Sequence, residues 1–351
     1  MGQKELVKDA LDGYKMTRSL LVLPEDSAQT LAQAISRAVK SLRIKMFIFT
    51  DPGLLEKVIA AQKRGVDVRV MLNPARRSGK NENGESRKVL AAAGVKVLDS
   101  NPAFDLTHEK SMVLDDHTAY IMSLNWRTSN LTEQRDYAVV TSHAHEVNEV
   151  INCFEADWAR TSFTPGEHSH LVWCIGNGRQ RLGKLIDGAN NSIWLQNERY
   201  QDPTIIEHLV RALRRGVRVH VMAPSPHKLK KEKLIEAVSG LRILKDVGAK
   251  IHRPKGMKHH GKALLADASR AIIGSMNIAP GSFDSRRELA IEVDDPAIIK
   301  RLQETFHRDW ERSEPLDLTD KGLLSELKAY DEKVEEDLAI QSRSKAGRKG
   351  K

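Results

Sequence analysis

The chain carries one string of landmarks twice, and an internal repeat constrains a fold more than any bulk property does. Asp51-Pro52 returns as Asp202-Pro203. Arg64-Gly65-Val66, followed by Val68, Val70 and Met71, returns as Arg215-Gly216-Val217 with Val219, Val221 and Met222. Phe154 with Asp157-Trp158 returns as Phe306 with Asp309-Trp310. The order is kept and the intervening lengths are nearly equal. Two similar lobes follow, over residues 18–163 and 168–313.

Each unit has a physical logic. Asp51 is placed to cap a helix with Pro52 in its first turn, where a missing N–H costs nothing. Leu55, Val58 and Ile59 make an apolar stripe, and Gly65 closes the helix where positive φ is needed. Val66, Val68, Val70 and Leu72 then alternate as a strand. The second unit repeats this with Asp202, Pro203, Ile206, Leu209, Val210 and Gly216. Residues 85–93 read as another helix, closed by Gly94 and followed by a strand from Val95 to Leu98. Alternating helix and strand implies an α/β lobe whose helices cover a mixed sheet. Residues 314–351 differ. Leu323, Leu324, Leu327 and Tyr330 suggest one amphipathic helix, and the end from Lys345 to Lys351 reads as a disordered basic tail.

The polar chemistry repeats in the same frame. His108, Lys110 and Asp115 form the pattern HxKxxxxD, and so do His260, Lys262 and Asp267. One such triplet would arise by accident in on the order of a few per cent of chains this long. Two, in register with the rest of the repeat, are not independent accidents. Ser123 and Asn125 follow the first histidine at the spacing at which Ser275 and Asn277 follow the second. An Arg-acid pair comes next in both: Arg135-Asp136 and Arg287-Glu288. Residues two apart on a strand share a face, so His108 pairs with Lys110 and Ser123 with Asn125. A hairpin around Asp115-Asp116-His117 puts these strands side by side. Asp115 and Asp267, at odd spacing from the histidines, fall off that face and are assigned a structural role. The lysines, Ser123, Asn125, Ser275 and Asn277 are donors suited to phosphate oxygens.

This double signature resembles that of the phospholipase D superfamily, over residues 18–313. The resemblance implies two α/β/α lobes with mixed sheets related by a pseudo-two-fold axis. It implies one active site to which each lobe gives a histidine, with His108, Lys110, His260 and Lys262 catalytic. It further implies that Asp136 and Glu288 each support the histidine of the opposite lobe, and that His108, from the N-terminal motif, is the nucleophile. One histidine attacks phosphorus while the other protonates the leaving oxygen. The scheme uses no metal and no cofactor. With both motifs in one chain, a monomer suffices for the site.

Composition narrows the partners. Net charge is +9 and the pI is near 9.4, which favours polyanionic or phosphate-bearing partners. Hydrophobic residues at 40% support a packed core. The two cysteines, Cys153 and Cys174, have no metal or disulfide spacing. No apolar leader and no run long enough to span a bilayer is visible, so the expected location is the cytoplasm, with at most peripheral contact at the inner membrane face. His143, His145, His168 and His170 form two HxH pairs, read as solvated loops rather than a metal site. His259 is read as a rim contact. Two basic loops after the Val-rich strands, with Arg76, Arg77, Lys80, Arg87 and Lys88 and with His227, Lys228, Lys230, Lys231 and Lys233, are placed to ring a pocket for an anion. Each taken singly reads equally well as a solvated helix start. The expected substrate is an anionic phosphodiester, a phospholipid in the leading reading and a nucleic acid in the alternative. Aromatic residues are 5% of the chain and none clusters in the basic loops, which disfavours base stacking.

Overall fold

A computed structural model describes residues 17–75, 79–166, 169–224, 231–323 and 325, with only the backbone described at 231–233 and 235. Arg76, Arg77, His168, His227, Lys228, Lys230, Leu324, Leu327, Tyr330 and the basic tail lie outside the described residues, as do the side chains of Lys231 and Lys233.

In the first lobe the strands are β1 (Arg18–Leu23), β2 (Ser41–Met46), β3 (Asp67–Leu72), β4 (Lys96–Asp99), β5 (Leu106–Thr107), β6 (Ser111–Leu114), β7 (Thr118–Met122) and β8 (Gln134–Thr141). The helices are α1 (Ser27–Arg37), α2 (Pro52–Lys63), α3 (Gly84–Ala92), α4 (Thr128–Thr132) and α5 (Ala144–Ala159). The second lobe holds β9 (Leu171–Cys174), β10 (Ser192–Gln196), β11 (Arg218–Met222), β12 (Lys250–Pro254), β13 (Lys258–His259), β14 (Lys262–Ala266), β15 (Arg270–Gly274), β16 (Arg286–Val293) and β17 (Ser313–Pro315). Its helices are α6 (Gly178–Asp187), α7 (Pro203–Arg214), α8 (Lys231–Asp246), α9 (Pro280–Asp284) and α10 (Pro296–Glu311).

Local sequence explains the repeated elements. The Asp51 carboxylate accepts from the Leu54 N–H at 2.9 Å, and Asp202 does the same for Ile205 at 3.0 Å. Both caps precede a proline in the first turn. Gly65 and Gly216 end α2 and α7 at φ of +91° and +89°. The β6–β7 hairpin turns on Asp115 and Asp116, and the β14–β15 hairpin on Asp267 and Ala268, all four at positive φ. The Asp115 carboxylate accepts from the backbone N–H groups of Val39, Lys40 and Ser41, and Asp267 from those of Asn190, Asn191 and Ser192. Each aspartate therefore ties its hairpin to the start of β2 or β10, away from the histidines.

The two sheets are mixed. The first runs β1-β8-β7-β6-β2-β3-β4, and the second β17-β12-β11-β10-β14-β15-β16. Each has a helix-covered outer face: Val68, Val70 and Leu72 pack with Leu54 and Val58 in one lobe, and Val219 and Val221 with Leu209 and Ala212 in the other. The inner faces pack on each other. Ile121, Tyr137 and Val139 of the first sheet share one buried cluster with Leu265, Ile273, Leu289 and Ile291 of the second. Both faces of each sheet are buried, which is why the central strands read as continuous apolar runs.

The lobes also exchange strand pairing. β7 ends at Met122 opposite Ala138, leaving Gln134 and Arg135 of β8 open, and β13 of the second lobe pairs there. Reciprocally, β5 of the first lobe pairs with Arg286 and Arg287 of β16. Two buried ion pairs follow the same exchange. Arg287 meets Asp157 of α5 at 3.1 and 3.0 Å, and Arg135 meets Asp309 of α10 at 2.8 Å through both nitrogens. The repeated Asp-Trp and Arg-acid landmarks are thus partners across the lobe boundary.

Candidate active site

The strand exchange delivers the histidines. β5 leads directly into His108, and β13 into His260. The N–H groups of His108 and Glu109 both donate to the Arg287 carbonyl at 2.9 Å, and those of His260 and Gly261 to the Arg135 carbonyl at 3.0 and 2.8 Å. Two successive donors on one carbonyl make a bulge. His108 therefore sits between β5 and β6 rather than within a continuous strand, a refinement of the simple alternation read from sequence.

Each imidazole is held by the other lobe's acid. His108 Nδ1 lies 2.9 Å from Glu288 Oε2 and 3.2 Å from the Ser275 carbonyl. His260 Nδ1 lies 2.9 and 3.1 Å from the two oxygens of Asp136. A carboxylate only accepts, so each Nδ1 carries the hydrogen and, in the neutral ring, each Nε2 keeps its lone pair. Burial alone would raise the Glu288 carboxyl, but His108 and Lys110 beside it hold it below its ordinary value.

Ser123 and Ser275 do not offer hydroxyls to a phosphate, contrary to the expectation from their spacing. Ser123 Oγ donates to Asp136 Oδ1 at 2.6 Å and accepts from the Tyr137 N–H at 2.8 Å. Ser275 Oγ donates to Glu288 Oε2 at 2.6 Å and accepts from the Leu289 N–H at 3.1 Å. A hydroxyl has one hydrogen to give, and both are given to the acids. These serines orient the carboxylates that orient the histidines. Asn125 and Asn277 are different: both are buried, and their side-chain oxygens have no hydrogen-bond partner among the described residues. Their amides remain uncommitted.

Lys110 and Lys262 each donate to the carbonyl of the histidine two residues earlier. Beyond that shared contact the half-sites diverge. Lys110 is fully buried with its ammonium 5.1 Å from the Phe47 ring centre, and the same ring meets His108 edge-on at 4.9 Å. Lys262 instead meets the Glu198 carboxylate at 2.7 Å, and His260 Nε2 lies 3.7 Å from the same oxygen. Burial pushes the His108 imidazole down to about 4; Glu288 opposes this, and the charges of Lys110 and Lys262 add to it. Burial likewise drives Lys110 down to about 7. Burial would raise Glu198, but Lys262 and His260 hold it well below the usual carboxylate range. The charge of Lys262 bears on His108, and that of His108 on Glu198.

Phe47 and Glu198 were not singled out by the sequence motifs. The signal was present: they stand at equivalent places in the repeat, each four residues upstream of its Asp-Pro pair, Asp51-Pro52 and Asp202-Pro203. His259 is not a rim residue. It is buried, with Nε2 3.8 Å from Asp309, because β13 turns it toward the lobe interface. Lys80 is exposed beside a small recess lined by Phe47, Asn73 and Asn83, whereas Arg87 and Lys88 pair with Asp99 and Glu85 on the surface of α3. Of the HxH residues, His170 bonds Glu146 at 3.2 Å and His145 is exposed. Among the described residues one buried group has metal-like composition, Glu109, Cys153 and Asp157. The Lys45 ammonium already fills it, 2.7 Å from Asp157 and 3.0 Å from Glu109.

A family model described as "Cardiolipin synthase, PLD-like domain" matches twice, at residues 31–158 and 182–310. The chain belongs to this phospholipase D-like family. Among curated relatives of this phospholipase D-like chain, a polyphosphate kinase from Vibrio parahaemolyticus is 24% identical over 84% of the chain and 44% of that protein. Cardiolipin synthase A from Proteus mirabilis is 22% identical over 84% of the chain and 69% of that protein. The chain thus spans less than half of the matched kinase. Of solved structures, phosphatidylserine synthase from Haemophilus influenzae shares the fold at a TM-score of 0.67 and 13% identity, covering 99% of both chains. Polyphosphate kinase from Porphyromonas gingivalis also gives 0.67, at 15% identity over 86% of this chain and 48% of that one. No helix among the described residues is long and apolar enough to cross a membrane.

Proposed function

We propose that this chain is a phospholipid-directed phosphodiesterase or phosphatidyltransferase that works through a phosphohistidine on His108, with His260 as the acid and then the base. The observation that carries the reading is the unequal surroundings of two equally oriented imidazoles. A nucleophile must be neutral, and burial beside Phe47, Lys110 and Lys262 disfavours charge on His108. A general acid must hold a proton, and His260 lies between two carboxylates, Asp136 and Glu198.

His108 Nε2 attacks phosphorus, and the bond from phosphorus to the leaving oxygen breaks. That oxygen takes the electron pair together with a proton from His260 Nε2. Water or an alcohol then gives a proton to the neutral His260 and attacks phosphorus, and the P–N bond breaks to return neutral His108. Lys110, Lys262, Asn125 and Asn277 supply donors for the non-bridging oxygens. The choice of a phospholipid is supported by the family description and by relatives named cardiolipin synthase and phosphatidylserine synthase.

The test is a parallel assay of the purified protein on labelled phosphatidylglycerol, phosphatidylcholine, single-stranded DNA and polyphosphate, with and without EDTA. Lipid turnover in EDTA, with acid-stable label absent and acid-labile label on His108, is the expected result. Turnover of DNA or polyphosphate alone would replace the phospholipid reading.

A further inference from the structure

The two half-sites share their His, Lys, Ser and Asn and keep an acid at the Asp136/Glu288 position, but they differ in character at one position that touches both a lysine and a histidine. The first lobe has Phe47 there and the second has Glu198. The equivalence is structural as well as sequential: two residues on, Phe49 bridges Trp126 and Tyr200 bridges Ile278 in the same parallel manner. We propose that Glu198 is a built-in competitor anion that makes the site select singly charged phosphodiesters over doubly charged phosphate groups.

The geometry argues for this directly. Glu198 Oε2 is 2.7 Å from Lys262 Nζ and 3.7 Å from His260 Nε2, the nitrogen left free by Asp136. A phosphate oxygen bound to Lys262 beside that nitrogen would need the space the carboxylate oxygen holds. On the other side nothing needs to be displaced, since the partners described for Lys110 are a backbone carbonyl and an aromatic face. A substrate phosphate therefore has no carboxylate to displace from Lys110 and must exchange with Glu198 at Lys262. The Glu198 side chain is one-third exposed, so it has room to swing outward. Even displaced, it remains tethered next to the pocket. Its charge repels a dianion about twice as strongly as a monoanion, because Coulomb energy is linear in charge. A phosphodiester carries one charge, whereas a phosphomonoester or a terminal phosphate at neutral pH carries close to two.

This proposal rests on the reading that the paired histidines hold the substrate phosphorus, and it is tested by binding rather than turnover. Sulfate and methyl sulfate are tetrahedral anions of charge two and one that do not titrate near neutral pH. Their dissociation constants are measured by calorimetry or by shifts of the histidine ring resonances, for the native chain, for Glu198→Gln and for Glu198→Phe, which installs the first lobe's residue. The preference for sulfate over methyl sulfate is expected to rise tenfold or more in both variants, with melting temperature retained in at least one. A preference that stays unchanged in a folded variant overturns the proposal. If neither anion perturbs His108 or His260 in any form, the placement of the phosphate itself fails, and the proposal falls with it. If the anions bind as expected while no lipid is turned over, only the substrate assignment above is lost.

Discussion

Glu288 of the second lobe holds His108 of the first, with Oε2 2.9 Å from Nδ1, and Asp136 of the first lobe holds His260 of the second. Neither half-site is complete within its own lobe. The donors just upstream obey the same rule, since the N–H of His108 bonds the Arg287 carbonyl. An isolated lobe lacks both the acid and the strand edge that place its histidine.

Glu288→Gln should therefore behave like a lesion of His108 although it lies in the other lobe. A glutamine amide can present an N–H to Nδ1 and drive the ring toward the wrong tautomer. A kcat loss of about 10²–10⁴ is expected, by analogy with other acid–histidine pairs, with KM changing much less. Ser275→Ala should give a smaller loss in the same direction, since it removes one hydrogen bond to the same carboxylate. Steady-state kinetics on a phosphodiester check both, and a Glu288→Gln variant that keeps full kcat would remove the carboxylate from the mechanism.

The pH profile follows from the cited shifts. His108 is depressed to about 4 by burial, so its neutral form persists well below the ordinary imidazole value. The contribution of His108 to kcat/KM is thus flat from neutrality down to near pH 5 and lost as pH falls through about 4. Lys110, depressed to about 7 by burial, acts on the other side. It loses its charge as pH rises through that value, so the affinity of the free site for sulfate should weaken above pH 7. Binding measured from pH 5 to 9 checks this, and Lys110→Met should abolish the alkaline decline. A sulfate affinity that is constant across that range would mean that Lys110 does not hold the anion.

Much of this site was legible in the sequence because it is written in a repeat. The matched spacings marked His108, Lys110, His260, Lys262, Asp136 and Glu288, and alternate residues on extended chain share a face. Spacing cannot say which neighbour a side chain meets. Ser123 and Asn125 have equal claims to a phosphate on that ground, yet only the serine lies within reach of Asp136. Glu198 was invisible to the motif because it breaks the repeat instead of keeping it. His259 was misplaced because its direction is set by a strand pairing between lobes, a contact separated by more than a hundred residues of chain.

The lobe boundary should be more sensitive to Asp157 than to its counterpart Asp309. Asp157 binds two buried cations, Arg287 and Lys45. Among the described residues Arg287 has no other carboxylate ion-pair partner, whereas Arg135 keeps Glu25 when Asp309 is removed. Leaving a buried charge unpaired costs about 3–5 kcal/mol. Asp157→Ala should approach that value in urea unfolding, and Asp309→Ala should fall clearly short of it. Against the effect of burial, Lys45 and Arg287 hold the Asp157 carboxyl down at about 2. Its stabilisation is therefore present above the ordinary aspartate value and lost as pH falls toward 2. Equal destabilisation by the two alanines would show that Glu25 gives Arg135 no useful second partner.

The two histidines are separable by leaving group. A nucleophile is needed whatever departs, while a general acid is needed only when the departing oxygen is strongly basic. His260→Ala should retain measurable cleavage of a p-nitrophenyl phosphodiester and lose turnover of a natural alkoxide ester. His108→Ala should lose both, because the P–N bond cannot form. His260→Ala incubated with the activated substrate and quenched in alkaline denaturant, where a P–N bond survives, should accumulate label on His108, since the base that activates water is gone. Mass spectrometry of the quenched protein locates that label. Label on His260 in the native chain would exchange the two roles, and near-normal rates in both alanine variants would end the two-histidine mechanism.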